Sequence, residues 1–326
     1  MGTRTWRSTA GAFLVAGALI IAGVAMVPGI SGAAKATGRV KPPPVYYLSL
    51  GDSYSQGYQT PTDDNGPGFT DKVAKKAHMT LENFGCGGAT TTSLTSTIGC
   101  SGSQEVTHEV LYPTTTQEQA ALNFIAANPA EIGLITVSIG GNDVTACATN
   151  PSPITCVLAA STTIKANVDQ LVASLNTALT TYGDTAAKLV GLTYPDVILG
   201  SDVYPVGDTN PILAGQSVTA FDTFINPTLD SAYTSVPYGS FVNVTTAPYV
   251  KGAIDATAGD DTGSWNFTTG VYTGATTKLK GFGKTVPESV AEVCTLTYYC
   301  SITGDIHPNT KGYSFITSLL LTDLGL

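Results

Sequence analysis

The chain has 326 residues, with 24 acidic against 15 basic side chains and a formal net charge of −9. That length suits one large α/β domain or two small ones. The acidic balance excludes nucleic acid and an anionic membrane surface as the main partner, because both require basic patches. The lysines Lys72, Lys75 and Lys76 form only the solvated face of one helix.

Arg4 and Arg7 precede a nearly unbroken run of Ala, Gly, Leu, Ile and Val from Thr9 to Val27, and Ala34-Lys35-Ala36 has the small-x-small pattern of a cleavage site. Residues 1–36 therefore read as a secretory signal peptide, or as a membrane anchor if the segment stays uncleaved. Residues 37–44, ending in Lys41-Pro42-Pro43-Pro44, read as an extended Pro-rich linker. Removing Arg4, Arg7 and Lys35 leaves 12 basic against 24 acidic residues, a net charge of −12 on the exported part.

Val45 to Leu50 is an apolar, β-rich run that stops at Gly51-Asp52-Ser53. It predicts a strand buried on both faces, with Ser53 just past its C-terminal end, where an open parallel sheet places its ligand site. A helix is expected over Gly68 to Ala77. A second strand, Met79 to Phe84, runs into Gly85-Cys86-Gly87-Gly88. Further helices are expected over 114–127, about 162–182, about 217–235 and 310–324. Strands are expected over 132–139, 188–194 and 241–244. The third strand ends in Gly140-Gly141-Asn142-Asp143. The alternation predicts βαβ units and a parallel sheet covered by helices on both faces. Between about 245 and 303 the pattern is lost. The aromatics there, among them Trp265, Tyr272 and Tyr299, are read as an ordered insert packed beside the site as a partial lid or substrate wall.

The six cysteines, all in the exported part, fall into three close pairs. An even count behind a signal peptide implies disulfides, and nearest-neighbour pairing gives Cys86–Cys100, Cys147–Cys156 and Cys294–Cys300. No C-x-x-C and no nearby His completes a zinc site.

Acyl transfer by a serine needs a hydroxyl, a base and donors for the oxyanion. Of the three histidines, His78 ends a lysine-bearing helix, His108 has no motif around it, and His307 stands in a turn before the last helix. Gly88 can offer an unhindered N–H, and Asn142 offers the two hydrogens of its amide.

The four blocks Gly51-Asp52-Ser53-Tyr54, Asn83-x-Gly-x-x-Gly88-x-Thr90, Gly140-Gly141-Asn142-Asp143 and Asp305-Ile306-His307-Pro308 together resemble those of the SGNH/GDSL hydrolases. The six cysteines are similar to those of its secreted actinobacterial-type esterases and lipases. The resemblance spans essentially the whole exported chain. It implies a three-layer α/β/α sandwich around a central parallel sheet, flavodoxin-like, over a single domain at residues 45–326. It implies Ser53 as nucleophile, His307 as base, and the Ser53 N–H, Gly88 and Asn142 as the oxyanion hole. The implied reaction is hydrolysis of a carboxylic ester, of an acyl lipid or an acylated sugar, with no cofactor and no metal. No nucleic acid and no obligate protein partner is implied, and a monomer is expected.

Two positions depart from the pattern. Tyr54 stands where Leu is usual. The acid usually found three residues before the His is replaced by Gly304, so either Asp305 or a backbone carbonyl orients the imidazole. An acyltransferase using the same serine, a non-catalytic envelope- or glycan-binding module and a metal-dependent hydrolase are the other readings.

Overall fold

The computed structural model describes residues 45–60, 67–102, 109–245, 264–266, 268–302 and 304–326. The signal peptide, the linker and His108 lie outside them.

Strand β1 (Tyr46–Gly51) leads through the one-turn helix α1 (Ser53–Gln56) and helix α2 (Phe69–Ala77) to β2 (Thr80–Asn83). Helices α3 (Thr91–Ser96) and α4 (Gln117–Ala127) precede β3 (Ile132–Ser138). The short α5 (Gly141–Thr145) and the long α6 (Pro153–Tyr182) precede β4 (Lys188–Leu192). A 3₁₀ turn at Val197–Asp202, helix α7 (Pro211–Thr219), a π-helical turn at Ala220–Ile225 and α8 (Asn226–Tyr233) lead to β5 (Gly239–Val242). Two antiparallel pairs follow, β6 (Ser264–Trp265) with β7 (Tyr272–Thr273) and β8 (Thr276–Lys278) with β9 (Thr285–Pro287). Helices α9 (Glu288–Leu296) and α10 (Thr310–Leu324) end the chain.

The first five strands form one parallel sheet in the order β2-β1-β3-β4-β5. Right-handed crossovers on this order put α2 on one face and α4, α6 and α8 on the other. The packing agrees: α2 meets α10 and β2, whereas α6 meets α3, α4 and α8. The result is the three-layer α/β/α sandwich. Tyr47, Leu48, Leu50, Leu134, Ile135 and Val137 have no exposed surface, as expected of strands covered on both faces.

The strand order reverses between β1 and β3, and in open α/β sheets the crevice at that point is where ligands bind. Ser53 follows β1 and Asn142 follows β3. Gly51 makes the exit from β1 possible: at φ 136° it lies so close to the Ser138 carbonyl that any Cβ would collide. Gln117 clamps it, accepting from the Gly51 N–H at 2.7 Å and donating to its carbonyl at 3.1 Å.

Several boundaries differ from expectation for identifiable reasons. Helix α6 begins at Pro153 rather than near residue 162, because a proline at the first helical position loses no hydrogen bond and starts a helix well. The helix expected over 217–235 begins at Pro211, capped by Asn210, and widens into the π turn before Pro227. Pro227 has no N–H to give the preceding turn, so the helical ladder is broken there. Strand β5 occupies 239–242 rather than 241–244. The supposedly patternless insert contains α9 and the two strand pairs. Its side chains Trp265, Val286 and Val290 build a second core with Leu199, Val203 and Ala214.

Candidate functional site

In the stretch Gly51–Gly57 every residue but Ser53 is buried. Asp52 caps α1, with its Oδ1 accepting from the Tyr54 N–H at 2.9 Å, so Ser53 is the first helical residue and its N–H has no acceptor within the helix. Gly57 ends the turn in the left-handed conformation.

The imidazole beside Ser53 comes from the far end of the sequence. His307 Nε2 lies 2.9 Å from Ser53 Oγ, and His307 Nδ1 lies 2.8 Å from Asp305 Oδ1. A carboxylate only accepts, so Nδ1 carries the proton and Nε2 is left to accept from the serine hydroxyl. Asp305 Oδ1 also accepts the His307 backbone N–H at 2.8 Å, which pins carboxylate and imidazole together. Burial pushes the Asp305 carboxyl up. The bonds from Thr60 and from the backbone and ring of His307, with the histidine's charge, outweigh burial and leave it below its usual value. Burial likewise lowers the His307 pKa below 6.5, more than Asp305 raises it. The imidazole is thus neutral at pH 7.

Gly304 has φ 65° and leads the turn in which the Asp305 N–H donates to the Ile302 carbonyl. Glycine adopts that conformation without the cost a Cβ adds, and the carboxylate that meets the imidazole comes from the next residue, Asp305.

Asn142, half-buried at the start of α5, donates from Nδ2 to the Ala89 carbonyl at 2.9 Å and to Asp52 Oδ2 at 3.3 Å. It therefore joins the turn holding Gly88 to the residue preceding Ser53. A Cβ on Gly88 would meet nothing within 4 Å, so open space lies beside it. Asp143 holds α5 in place, its carboxylate accepting the Thr91 N–H at 2.9 Å and hydroxyl at 2.6 Å. His78, by contrast, is an exposed helix cap in α2's last turn.

Three supporting residues have no role expected from the sequence. Tyr194, just past β4, donates to Asp52 Oδ2 at 2.6 Å. Tyr54 packs edge-on against Tyr194 and donates to the Ile306 carbonyl at 2.5 Å, binding the serine helix to the histidine loop. The Tyr58 ring lies 4.4 Å from the imidazole. Burial pushes the Asp52 carboxyl up to about 7, against the bonds from Tyr194 and the Tyr54 N–H, and the charge of Asp143 adds to the rise. Tyr54 is the only one of these with a sequence signal, since it replaces the usual Leu.

A cavity opens at Ser53 and Asn142 and continues between α5, α6, the 3₁₀ turn and α7. Gly88 does not line it. Nor does any described residue of the 245–302 segment, and residues 246–263, 267 and 303 of the insert expected as a lid or wall lie outside the described residues. Its aromatics are spent on the second core instead: Trp265 and Tyr272 pack at 5.2 Å, and Tyr299 covers Gly200 of the 3₁₀ turn. The insert thus buttresses the segment that walls the cavity. The three cysteine pairs are bonded as expected, and Cys147–Cys156 ties the residues after α5 to α6 at the cavity's edge.

The sequence model of the GDSL-like Lipase/Acylhydrolase family matches residues 49–222, just over half of the chain. No curated protein sequence matches. Among solved structures, the chain is similar to an extracellular lipase from Streptomyces rimosus, at 18% identity and a TM-score of 0.44, covering 85% of this chain and 99% of that one. It is similar to a lipase from a goat rumen metagenome, at 18% identity and TM-score 0.47, covering 85% and 96%. It is also similar to phospholipase A1 from Streptomyces albidoflavus NA297, at 16% identity and TM-score 0.43, covering 86% and 99%.

Proposed function

Because the chain belongs to the GDSL-like lipase/acylhydrolase family, we propose that it is a secreted serine esterase whose nucleophile is Ser53 and whose base is His307. The observation that carries this reading is the unbroken row Asp305–His307–Ser53, with both bonds under 3 Å and the imidazole neutral. As Ser53 Oγ bonds to the ester carbonyl carbon, its proton passes to His307 Nε2. Asp305 holds the imidazole in the tautomer that accepts it and stabilises the cation that results.

The carbonyl oxygen becomes an oxyanion facing the Ser53 N–H, Gly88 and Asn142. Of the two Asn142 bonds, the 3.3 Å contact to Asp52 is the weaker, and its hydrogen is the one that turns to the oxyanion. Collapse breaks the ester C–O bond, and the alcohol leaves with the proton from His307. A water, deprotonated by His307, then attacks the acyl-serine. The acid departs and Ser53 recovers its proton.

Export is supported by the layout of residues 1–36 and by three disulfides, which persist in oxidising compartments. Ser53→Ala should keep the circular dichroism spectrum and lower turnover of p-nitrophenyl butyrate by roughly 10⁴- to 10⁶-fold. Near-normal turnover by that variant, or fluorophosphonate labelling at another residue, would remove Ser53 from the mechanism.

A further inference from the structure

The cavity beside Ser53 has a volume of about 90 Å³ and a one-sided chemistry. Its walls include Val144 of α5, Val157 of α6, Ile198 of the 3₁₀ turn, Leu213 of α7, and Phe221 and Ile225 of the π turn. Apart from Asp52 at the Ser53 end, no charged residue lines it. The Ser217 hydroxyl, which borders it, is turned to Asp196 Oδ2 and the Ala214 carbonyl at 2.7 and 2.8 Å and presents no free donor. Thr145, its hydroxyl turned to the Gly141 carbonyl, and Gln216 also line it, so a sugar or a phosphate-bearing headgroup placed here would lose more hydrogen bonds to water than it regains. A hydrocarbon chain would lose nothing and gain burial.

The geometry also says which half of an ester enters. His307 must protonate the departing alcohol oxygen, so the leaving group lies on the histidine side of Ser53. The cavity is lined by Ser53 and Asn142 and, from the histidine loop, by Ile306 but not His307, which favours the acyl side. Its lining includes the buried Val157, Ala220, Phe221 and Ile225, where α6 packs against the π turn.

Resting on the serine-esterase reading above, we propose that this cavity is the acyl-chain site, that the enzyme selects medium-chain fatty acyl esters over acetyl esters, and that Ala220 in the π turn sets how far the chain enters. Ala220 is the one small side chain among these four. A break in helical register at this point places Ala220, Phe221 and Ile225 together along the chain's path.

The test measures kcat/KM on p-nitrophenyl acetate, butyrate and octanoate, with Ser53 labelling by a fluorophosphonate measured in parallel. Wild-type kcat/KM should rise about fourfold for each methylene seated. The octanoate-to-acetate ratio should fall at least about tenfold in Ala220→Phe. Ile198→Trp, on a half-exposed wall, should lower the same ratio, and decides the matter if Ala220→Phe fails to fold. Ethyl octanoate should be cleaved faster than its isomer octyl acetate.

A wild-type ratio near one, with Ser53 labelled and acetate hydrolysed, overturns the acyl site while leaving the serine mechanism intact. Preference for octyl acetate overturns it by moving the chain to the leaving group. No labelling and no hydrolysis of any ester overturns the serine reading and this inference with it.

Discussion

At His307 two effects of opposite sign meet. Burial favours the neutral ring, Asp305 favours the cation, and burial is the larger. The acid limb of kcat/KM should therefore lie below pH 6.5, since the free enzyme is active only with the imidazole unprotonated. Asp305→Asn keeps an acceptor for the His307 backbone N–H but removes the carboxylate that raises the histidine's pKa. It should lower kcat/KM roughly 10²- to 10⁴-fold and move the acid limb to still lower pH. A fall in rate with an unmoved limb would mean that Asp305 only shapes the loop. Ser53, Asn142 and His307 were legible because each sits in a turn-rich block at the end of a strand or before a helix. The way Asp305 serves His307 was not, because it depends on the left-handed turn at Gly304, which spacing alone does not reveal. Tyr194 and Asp52 were hidden for a different reason: their partnership joins residues 142 positions apart.

The 3₁₀ turn carries a second buried carboxylate. Asp196 precedes it, is 1% exposed, and accepts the Ser217 hydroxyl from α7. Burial raises its pKa from 3.8 to about 7, against the Ser217 bond and with help from the charge of Asp222. Folded protein thus keeps a proton that unfolded chain has lost between those two values, and stability contributed at this site falls as pH rises through that window. Asp196→Asn keeps the acceptor and removes the ionisation. Its melting temperature should match that of the wild type near pH 4 and exceed it by pH 8, by the equivalent of roughly 2–4 kcal/mol. Parallel curves across the range would refute this account. Elements were legible wherever apolar periodicity was uninterrupted, as in β1, β3 and α10. They were misread where proline marks a helix start, at Pro153 and Pro211, and where the nine-residue α9 lies inside a Thr- and Gly-rich stretch.

Across the whole molecule, the parallel sheet was implied by the alternation of strands and helices, whereas its strand order and the division into two cores were not. The second core mixes side chains from the 3₁₀ turn and α7 with the segment some sixty residues later, and no local pattern announces such a pairing. The Ser53–His307 hydrogen bond closes a span of 254 residues, and the contacts of Tyr313 with the Tyr58 carbonyl and of Thr310 with Gln59 close spans of 255 and 251. Contacts this distant along the chain are slow to form during folding. In refolding from denaturant with disulfides intact, far-UV dichroism should recover before Ser53 accepts a fluorophosphonate, and equal rate constants for the two would refute that order. A chain still being synthesised therefore carries a complete Gly-Asp-Ser turn with no imidazole beside it. On the serine-esterase reading, competence to cut esters arrives only when the His307 loop docks, so the order of synthesis itself delays activity.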